Sequence, residues 1–194
     1  MAESPQSPEP ARKGRLVLMG VVAVLSVALD LLSKEWVWQN LRKQDPRVFV
    51  DGFFQLRYAF NPGSAFGFLG DAEWSRYFFI AVTVAAVIYM VRLAMTLPAR
   101  FVSGYIAIGL IIGGALGNLH DRFVREDFVT VISEGTRVTE IRHGVVDFIV
   151  VHYWPGKEWP AFNIADAALV AGVLLFLIYL RRHGHVEASP PARA

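Results

Sequence analysis

The sequence predicts an all-α membrane fold with four transmembrane helices and a small β element outside the bilayer, and composition is the first reason. Apolar residues make up 54% of the 194-residue chain, and the mean hydropathy is +0.40. Charged residues make up 19%, whereas soluble domains average about 25%. The chain contains no cysteine, which excludes disulfide frameworks, thiolate metal sites and cysteine nucleophiles. A net charge of +2 is too small to indicate a nucleic-acid partner.

The second reason is that four stretches approach the roughly 20 apolar residues that a membrane-crossing helix needs. They cover about residues 16–32, 77–95, 101–117 and 161–180. We interpret residues 15–182 as a single four-helix membrane domain. Residues 1–14, which are rich in serine and proline, and residues 183–194 are expected to be disordered cytoplasmic tails.

The distribution of lysine and arginine predicts that both termini are cytoplasmic. Basic residues cluster before the first span, around the turn between the second and third spans, and after the fourth: Arg12, Lys13, Arg15, Arg92, Arg100, Arg181 and Arg182. The positive-inside rule makes all three sites cytoplasmic, so residues 33–76 and 118–160 lie on the outer face. The five tryptophans fall near those outer ends, as an interfacial aromatic belt requires: Trp36, Trp38, Trp74, Trp154 and Trp159.

A competing interpretation makes the first span a cleavable signal peptide. The span has a basic start, and Ser26-Val27-Ala28 is similar to a small-residue cleavage site. Cleavage there would leave three spans and would put the basic C-terminus on a face inconsistent with the turn at Arg100. The four-span interpretation has no such conflict.

Short strands are predicted in both outer segments. Aromatic and β-branched residues surround Asp51-Gly52 within residues 47–60, which is typical of a hairpin. Asn61-Pro-Gly-Ser64 indicates a turn. Residues 129–132 and 145–151 are further strand candidates. We therefore expect a small β element at the membrane surface.

Ionisable and amide side chains gather where the spans reach the outer face. Such groups are costly within or beside a span and usually face a partner or a cavity. They close the first and third spans, open the fourth, and interrupt the apolar run before it: Asp30, Lys34, Asn118, Asp121, Arg122, Asn163, Asp166 and Asp147. Four acids are therefore expected to converge at the outer mouth of a four-helix bundle.

Several of these residues also fit a purely structural role. Asp30 and Lys34 have the i,i+4 spacing of a helical ion pair and are consistent with a surface pair. Asp121 and Arg122 fit a structural pair and a functional one equally well. Three glycines with small-xxx-small spacing are interpreted as packing positions that bring helix backbones close together: Gly109, Gly113 and Gly117.

The acids nearest the fourth span differ in how well structure alone explains them. Asn163 fits an N-cap, with Asp166 in the first turn where the helix dipole favours negative charge. Asp147 lies between Val146 and Phe148, and a carboxylate in apolar surroundings must be neutralised, paired or used. We interpret Asp147 as functional.

Paired carboxylates point to hydrolysis by an aspartate dyad. Two carboxylates in one low-dielectric site do not both ionise cheaply, so one proton is shared between them. The ionised partner can deprotonate water for attack on a peptide carbonyl, and the protonated partner can donate to the carbonyl oxygen. Any pair from Asp121, Asp147 and Asp166 is compatible with this chemistry. It needs neither cofactor nor metal, and we expect neither.

Other catalytic arrangements fit poorly. Ser33 and Lys34 are adjacent, so on a helix their side chains point about 100° apart and cannot form a dyad. Ser64 lies in a predicted turn with no base placed near it by sequence. The outer histidines lack the spacing of a HExxH metal site: His120, His143 and His152.

Five sequence blocks together resemble the lipoprotein signal peptidase (signal peptidase II) family. They are Asp30-Leu-Leu-Ser-Lys34, Asn61-Pro-Gly-Ser-Ala-Phe-Gly67, Gly113-Gly-Ala-Leu-Gly-Asn-Leu-His-Asp-Arg122, Val145-Val-Asp-Phe148 and Phe162-Asn-Ile-Ala-Asp166. Their order over residues 30–166 makes the resemblance specific. It implies a bacterial inner-membrane aspartic endopeptidase that removes signal peptides from diacylglyceryl-modified prolipoproteins. The implied fold is four transmembrane helices with a small periplasmic antiparallel β-cradle.

The resemblance also implies roles within the acid cluster. The catalytic pair would be Asp147 and Asp166, a choice between Asp121 and Asp147 that the residues alone leave open. The implied supporting and substrate-binding residues are Asp30, Lys34, Asn61, Gly63, Gly113, Asn118, Asp121, Arg122, Val145, Asn163 and Ala165. One departure is that 22 residues, 123–144, separate Arg122 from Val145, where the family usually has a much shorter link. This mostly polar stretch is expected to loop out into the periplasm at small entropic cost.

The resulting hypothesis is a monomeric peptidase in the bacterial inner membrane, with its active site on the periplasmic face. Its partners would be lipid-modified prolipoprotein signal peptides and membrane lipid, not nucleic acid. The main alternative is a small proton- or ion-coupled transporter that uses the same acids as a relay. Acids confined to one face disfavour a conduction path. A membrane scaffold without enzymatic activity is a third possibility, but it leaves Asp147 unexplained.

Overall fold

Four long apolar helices dominate the computed structural model, which describes residues 9–63, 74–133 and 136–183. They are α1 (Glu9–Asn40), α2 (Ser75–Thr96), α3 (Val102–Val124) and α4 (Ile164–His183). Each is long and apolar enough to cross a membrane. The prediction of four apolar helices is therefore confirmed.

Helix α1 extends beyond the predicted span at both ends. It begins at Glu9, so the expectation that residues 9–14 belong to a disordered tail is wrong. Residues 11–13 (Ala-Arg-Lys) are good helix formers, and Arg15 Nε donates to the carbonyl oxygen of Ala99 at 3.0 Å. With 32 residues α1 is about 48 Å long, more than the roughly 30 Å hydrocarbon core, so its C-terminal end extends to the β structure.

Helix α3 is the central helix, packed between α1 and α4. A Cβ atom added to Gly109 would lie 2.7 Å from the carbonyl oxygen of Met19, and one added to Gly113 would lie 2.5 Å from Ser26 Cβ. These distances leave no room for a side chain, so the two backbones touch. On the other side, Gly114 meets the carbonyl oxygen of Ala165 in α4. The interpretation of the small-residue spacing as packing is confirmed.

The basic helix ends lie together at one end of the bundle. The contact between Arg15 and Ala99 joins the start of α1 to the turn between α2 and α3. The rings of Phe101 and His183 are 4.0 Å apart and bring the end of α4 to the same place. The β structure and the acidic residues occupy the opposite end.

The main sheet lies at this opposite end and contains β1 (Arg47–Val50), β2 (Phe54–Asn61), β5 (Val145–Trp154) and β6 (Lys157–Glu158), in that order. All pairs are antiparallel, and the register sets Ala59 opposite Asp147 and Asn61 opposite Val145. The predicted hairpin is confirmed, with Gly52 at φ +64° in its turn. Buried side chains fix the sheet to the end of α1: Val37, Leu41, Val146 and Phe148.

The long segment between α3 and β5 is a second antiparallel hairpin and not an open loop. Its strands are β3 (Glu126–Ser133) and β4 (Thr136–His143), paired from Glu126↔His143 to Ser133↔Thr136. The continuous run of β-branched residues at 129–132, with Val138 and Thr139 opposite it, favours this pairing. The strand predicted at residues 129–132 thus belongs to a longer strand.

Asp127 fastens the base of the second hairpin to the body of the protein. Its carboxylate accepts two bonds from Arg42, at 3.0 and 2.5 Å, and one from the Tyr58 hydroxyl at 2.5 Å. Burial opposes ionisation of Asp127, but these hydrogen bonds outweigh it and lower the pKa of the carboxyl. Burial, followed by the bond to Asp127, raises the pKa of Tyr58.

Some predicted features lie outside the described residues. These are the tails at residues 1–8 and 184–194, and the part of the second sequence block from Ser64 to Gly67.

Candidate active site

A buried lysine binds two aspartates and an asparagine of the site. Lys34 Nζ lies 2.7 Å from Asp30 Oδ2 and 3.3 Å from Asp121 Oδ2, and it donates to Asn118 Oδ1 at 2.9 Å. Lys34, Asp30 and Asp121 are all 0% exposed. The interpretation of Asp30 and Lys34 as a surface pair is therefore wrong. The pair joins α1 to α3 inside the protein.

Asp30 also connects α1 to the start of α4. Its Oδ1 atom accepts the backbone N–H of Ala165 at 2.9 Å. Its Oδ2 atom lies against Gly117, where an added Cβ would approach it to 2.5 Å. The absence of a side chain at Gly117 therefore gives Asp30 the space to reach α4.

The start of α4 is a reciprocal cap formed by two site residues. Asn163 Oδ1 accepts the backbone N–H of Asp166 at 2.9 Å, and Asp166 Oδ2 accepts the backbone N–H of Asn163 at 3.1 Å. This is the geometry of a capping box. The N-cap interpretation is correct, but Asp166 Oδ1 additionally accepts the side-chain amide of Asn118 at 2.8 Å.

Asn163 links the carboxylates of Asp166 and Asp147. Its Nδ2 atom lies 2.7 Å from Asp147 Oδ1, 3.1 Å from Asn118 Oδ1 and 3.3 Å from the carbonyl oxygen of Val146. One residue therefore donates to both carboxylates, through its side chain to Asp147 and through its backbone to Asp166.

Asp147 lies in β5 and is only 4% exposed. Its Oδ2 atom accepts a hydrogen bond from Asn61 Nδ2 at 3.1 Å, and Asn61 Oδ1 accepts the backbone N–H of Gly63 at 3.0 Å. Burial, and then the negative charge of Asp166, raises the pKa of Asp147 to about 7, although hydrogen bonds from Asn61 and Asn163 act in the opposite direction.

Asp121 and Arg122 do not form the simple pair that their adjacency suggested. Asp121 pairs with Arg125 at 3.2 Å and with Lys34, and its Oδ2 atom accepts the backbone N–H of Val146 at 3.1 Å. Arg122 donates to the carbonyl oxygen of Asn118 at 3.1 Å. Its guanidinium is within electrostatic reach of three acids: Asp166, Asp147 and Asp121.

The structure brings most of the predicted site residues into one connected cluster. Gly113 is an exception, because it packs against Ala23 and Ser26 of α1 away from the carboxylates. Val145 belongs to the cluster through its strand pairing with Asn61, and Ala165 belongs to it through the backbone N–H that it donates to Asp30. Sequence reasoning missed Arg125, although its i,i+4 spacing from Asp121 at the end of α3 was a usable signal.

Comparison with known proteins identifies the class. The signal peptidase (SPase) II family matches residues 22–182. The lipoprotein signal peptidase of Cellvibrio japonicus (strain Ueda107) is 39% identical over 164 residues, which cover 81% of this chain and 82% of that protein. That of Syntrophotalea carbinolica is 36% identical over 171 residues, which cover 88% and 93%.

Solved structures agree with the sequence matches. A bacterial membrane enzyme determined by the in meso method at 2.3 Å resolution superposes with a TM-score of 0.68 at 26% identity, covering 91% of this chain and 94% of that one. A second, at 1.9 Å resolution, gives a TM-score of 0.67 at 28% identity, covering 84% and 92%. The matches define a multi-pass membrane peptidase of the aspartic class. Within that class, the chain belongs to the signal peptidase (SPase) II family.

Proposed function

We propose that this protein removes signal peptides from lipid-modified prolipoproteins, with Asp147 and Asp166 as the catalytic pair. The observation that carries the assignment is that Asn163 donates to both carboxylates, at 2.7 Å to Asp147 and at 3.1 Å to Asp166. These acids come from β5 and α4, and two N–H groups of the same residue, one in its side chain and one in its backbone, hold them in one site. The names of the relatives supply the substrate class.

The charges of the cluster favour a single shared proton. Its four carboxylates belong to Asp30, Asp121, Asp147 and Asp166. Its three cations belong to Lys34, Arg122 and Arg125. With these groups ionised the cluster has a net charge of −1, or −2 when Glu35, which pairs with Arg125 at 2.9 Å, is included. Because excess negative charge is costly in a low-dielectric site, a proton shared by the pair is favoured.

The two acids have different environments, which assign them different roles. Asp147 is the more buried, and the rise of its pKa to about 7 keeps its proton near neutral pH. Asp166 is half-buried and accepts hydrogen bonds from Asn118 and from the first turn of α4, where the helix dipole favours an anion. We therefore assign Asp147 as the acid and Asp166 as the base.

Hydrolysis then follows without a covalent enzyme intermediate. Asp166 removes a proton from a water molecule, and the water oxygen bonds to the scissile carbonyl carbon while Asp147 donates its proton to the carbonyl oxygen. The tetrahedral intermediate collapses when the carbon–nitrogen bond breaks. Asp166 gives its proton to the leaving amine, and Asp147 recovers its proton from the hydroxyl as the carbonyl re-forms. The positive charge of Arg122 acts electrostatically on both acids.

The proposed location is the outer surface of the inner membrane. The basic residues at the other end of the bundle favour a cytoplasmic position for that end and for both termini. Exposed tryptophans lie at the carboxylate end: Trp36, Trp74, Trp154 and Trp159. A lipid-modified signal peptide would present its cleavage point at this depth, with water available. We propose that the enzyme acts there as a monomer.

Cleavage of a diacylglyceryl-modified prolipoprotein by purified protein in detergent tests the assignment. We expect cleavage by the parent and none by Asp147→Asn or Asp166→Asn, each of which keeps the size of the side chain. Arg57→Gln is a matched control, because Arg57 makes an exposed ion pair with Glu158 in the same sheet. Cleavage by both Asn variants at the parent rate would remove the dyad assignment, and a parent that moves protons across vesicles without cleaving would favour the transporter.

A further inference from the structure

Arg125 connects the end of α3 to the start of β5. It directly follows α3, and its backbone N–H donates to the carbonyl oxygen of Asp121 at 2.8 Å. Its own carbonyl oxygen accepts the N–H of Gly144 at 3.3 Å, and Gly144 directly precedes β5. The backbone of Arg125 therefore joins the two ends of the β3–β4 hairpin, and its side chain contacts the acid cluster.

The side chain of Arg125 is held on three sides and is only 10% exposed. Its Nε atom donates to Asp121 Oδ1 at 3.2 Å, and its Nη2 atom donates to Glu35 Oε2 at 2.9 Å. Its guanidinium carbon lies 5.1 Å from the centroid of the Trp38 ring. A planar guanidinium engaged in two charge-assisted bonds and a ring contact has little freedom to rotate.

Asp121 divides its two oxygens between Arg125 and β5. Oδ1 receives Arg125, while Oδ2 receives the N–H of Val146 at 3.1 Å and lies 3.3 Å from Lys34. Val146 directly precedes Asp147 in β5. Rotation of the Asp121 carboxylate would break its bond to β5, and Arg125 resists that rotation.

We propose that Arg125 is a positioning residue that fixes the Asp121 carboxylate and, through the backbone of Val146, the position of Asp147. This inference rests on the proposed function of Asp147. Displacement of a reacting group by about 1 Å can lower a rate by about 100-fold. Loss of Arg125 therefore slows the chemical step more than it weakens substrate binding.

The test compares Arg125→Gln, Arg125→Lys and Arg42→Gln in steady-state cleavage of a diacylglyceryl-modified prolipoprotein in detergent. Arg42 is a matched control, because its guanidinium also lies over Trp38, at 4.0 Å, and also donates two charge-assisted bonds, in its case both to the carboxylate of Asp127 outside the acid cluster. Rates are normalised to folded protein measured by size-exclusion chromatography, and the thermal unfolding midpoint is recorded for each variant.

We expect Arg125→Gln to lower kcat about 10- to 100-fold with KM within about twofold of the parent. Arg125→Lys keeps the positive charge but lacks the planar guanidinium, so it should recover part of kcat relative to Arg125→Gln. Arg42→Gln should lower the unfolding midpoint but leave kcat within about twofold of the parent. Equal effects of Arg125→Gln and Arg42→Gln on kcat would overturn the proposal. If Arg125→Gln does not fold, parent kcat in both Arg125→Lys and Glu35→Gln overturns it, and reduced kcat in both supports it. Cleavage by Asp147→Asn would instead overturn the proposed function.

Discussion

Removal of the buried cation at the centre of the cluster should cost more stability than the loss of any exposed pair. Lys34 is fully buried, and its ammonium group contacts Asp30 at 2.7 Å, Asp121 at 3.3 Å and Asn118 at 2.9 Å. Lys34→Met preserves most of the side-chain volume but leaves two buried carboxylates without their shared cation. Loss of one partner from a buried pair costs about 3–5 kcal/mol, and we expect the free energy of unfolding to fall by that amount.

Unfolding by SDS titration in mixed micelles measures this loss. Arg57→Gln is the reference, since Arg57 and Glu158 form a 2.6 Å ion pair whose side chains are 38% and 37% exposed, and its loss should cost less than about 1 kcal/mol. Asp121 keeps its pair with Arg125 at 3.2 Å, so the double variant Lys34→Met with Asp30→Asn removes the carboxylate charge that lost its cation and should be more stable than Lys34→Met alone. A Lys34→Met variant no less stable than Arg57→Gln would refute the reasoning.

Three further outcomes follow from the structure. The pKa of Asp147 is raised to about 7, so the shared proton is lost above that pH and the cleavage rate should fall as pH rises from 6 to 8.5; a flat pH–rate profile would contradict the role of Asp147 as the acid. Gly113→Ala should destabilise the protein because its Cβ would lie 2.5 Å from α1, whereas Gly20→Ala, with no atom within 4 Å, should be neutral or stabilising in the same SDS titration. Asp127→Asn should weaken the attachment of the β3–β4 hairpin to Arg42 and increase its hydrogen exchange; exchange equal to the parent would show that the hairpin base is held in another way.

The helices were predictable because long apolar stretches are a strong signal, but their ends were not. Hydropathy marks where a helix leaves lipid, whereas backbone hydrogen bonding continues α1 to Asn40 and α3 to Val124. The acids of the site were also predictable, since Asp147 interrupts an apolar run and Asp30, Asp121 and Asp166 lie at the ends of apolar spans. The Asp127 contacts with Arg42 and Tyr58 span 85 and 69 positions and left no local pattern in the sequence.

Which ion pairs are buried was harder to predict than which residues form them. The sequence favoured a surface position for Asp30 and Lys34 because i,i+4 pairs are usually exposed. What buries them is Gly117 on the neighbouring helix, whose missing side chain creates the space for Asp30. Burial therefore depended on an interhelical contact that a helix considered alone does not reveal.

The reciprocal bonds between Asn163 and Asp166 have a practical consequence for capturing bound substrate. Asp166 is both a proposed reacting group and the acceptor that protects the first turn of α4 from fraying, because its Oδ2 atom holds the N–H of Asn163. An alanine at this position would remove the reacting carboxylate and the helix cap together. Loss of activity in that variant could then result from fraying of α4. Asparagine keeps an oxygen that can accept the backbone N–H of Asn163. It is therefore the suitable replacement for obtaining an inactive enzyme that still binds its prolipoprotein substrate.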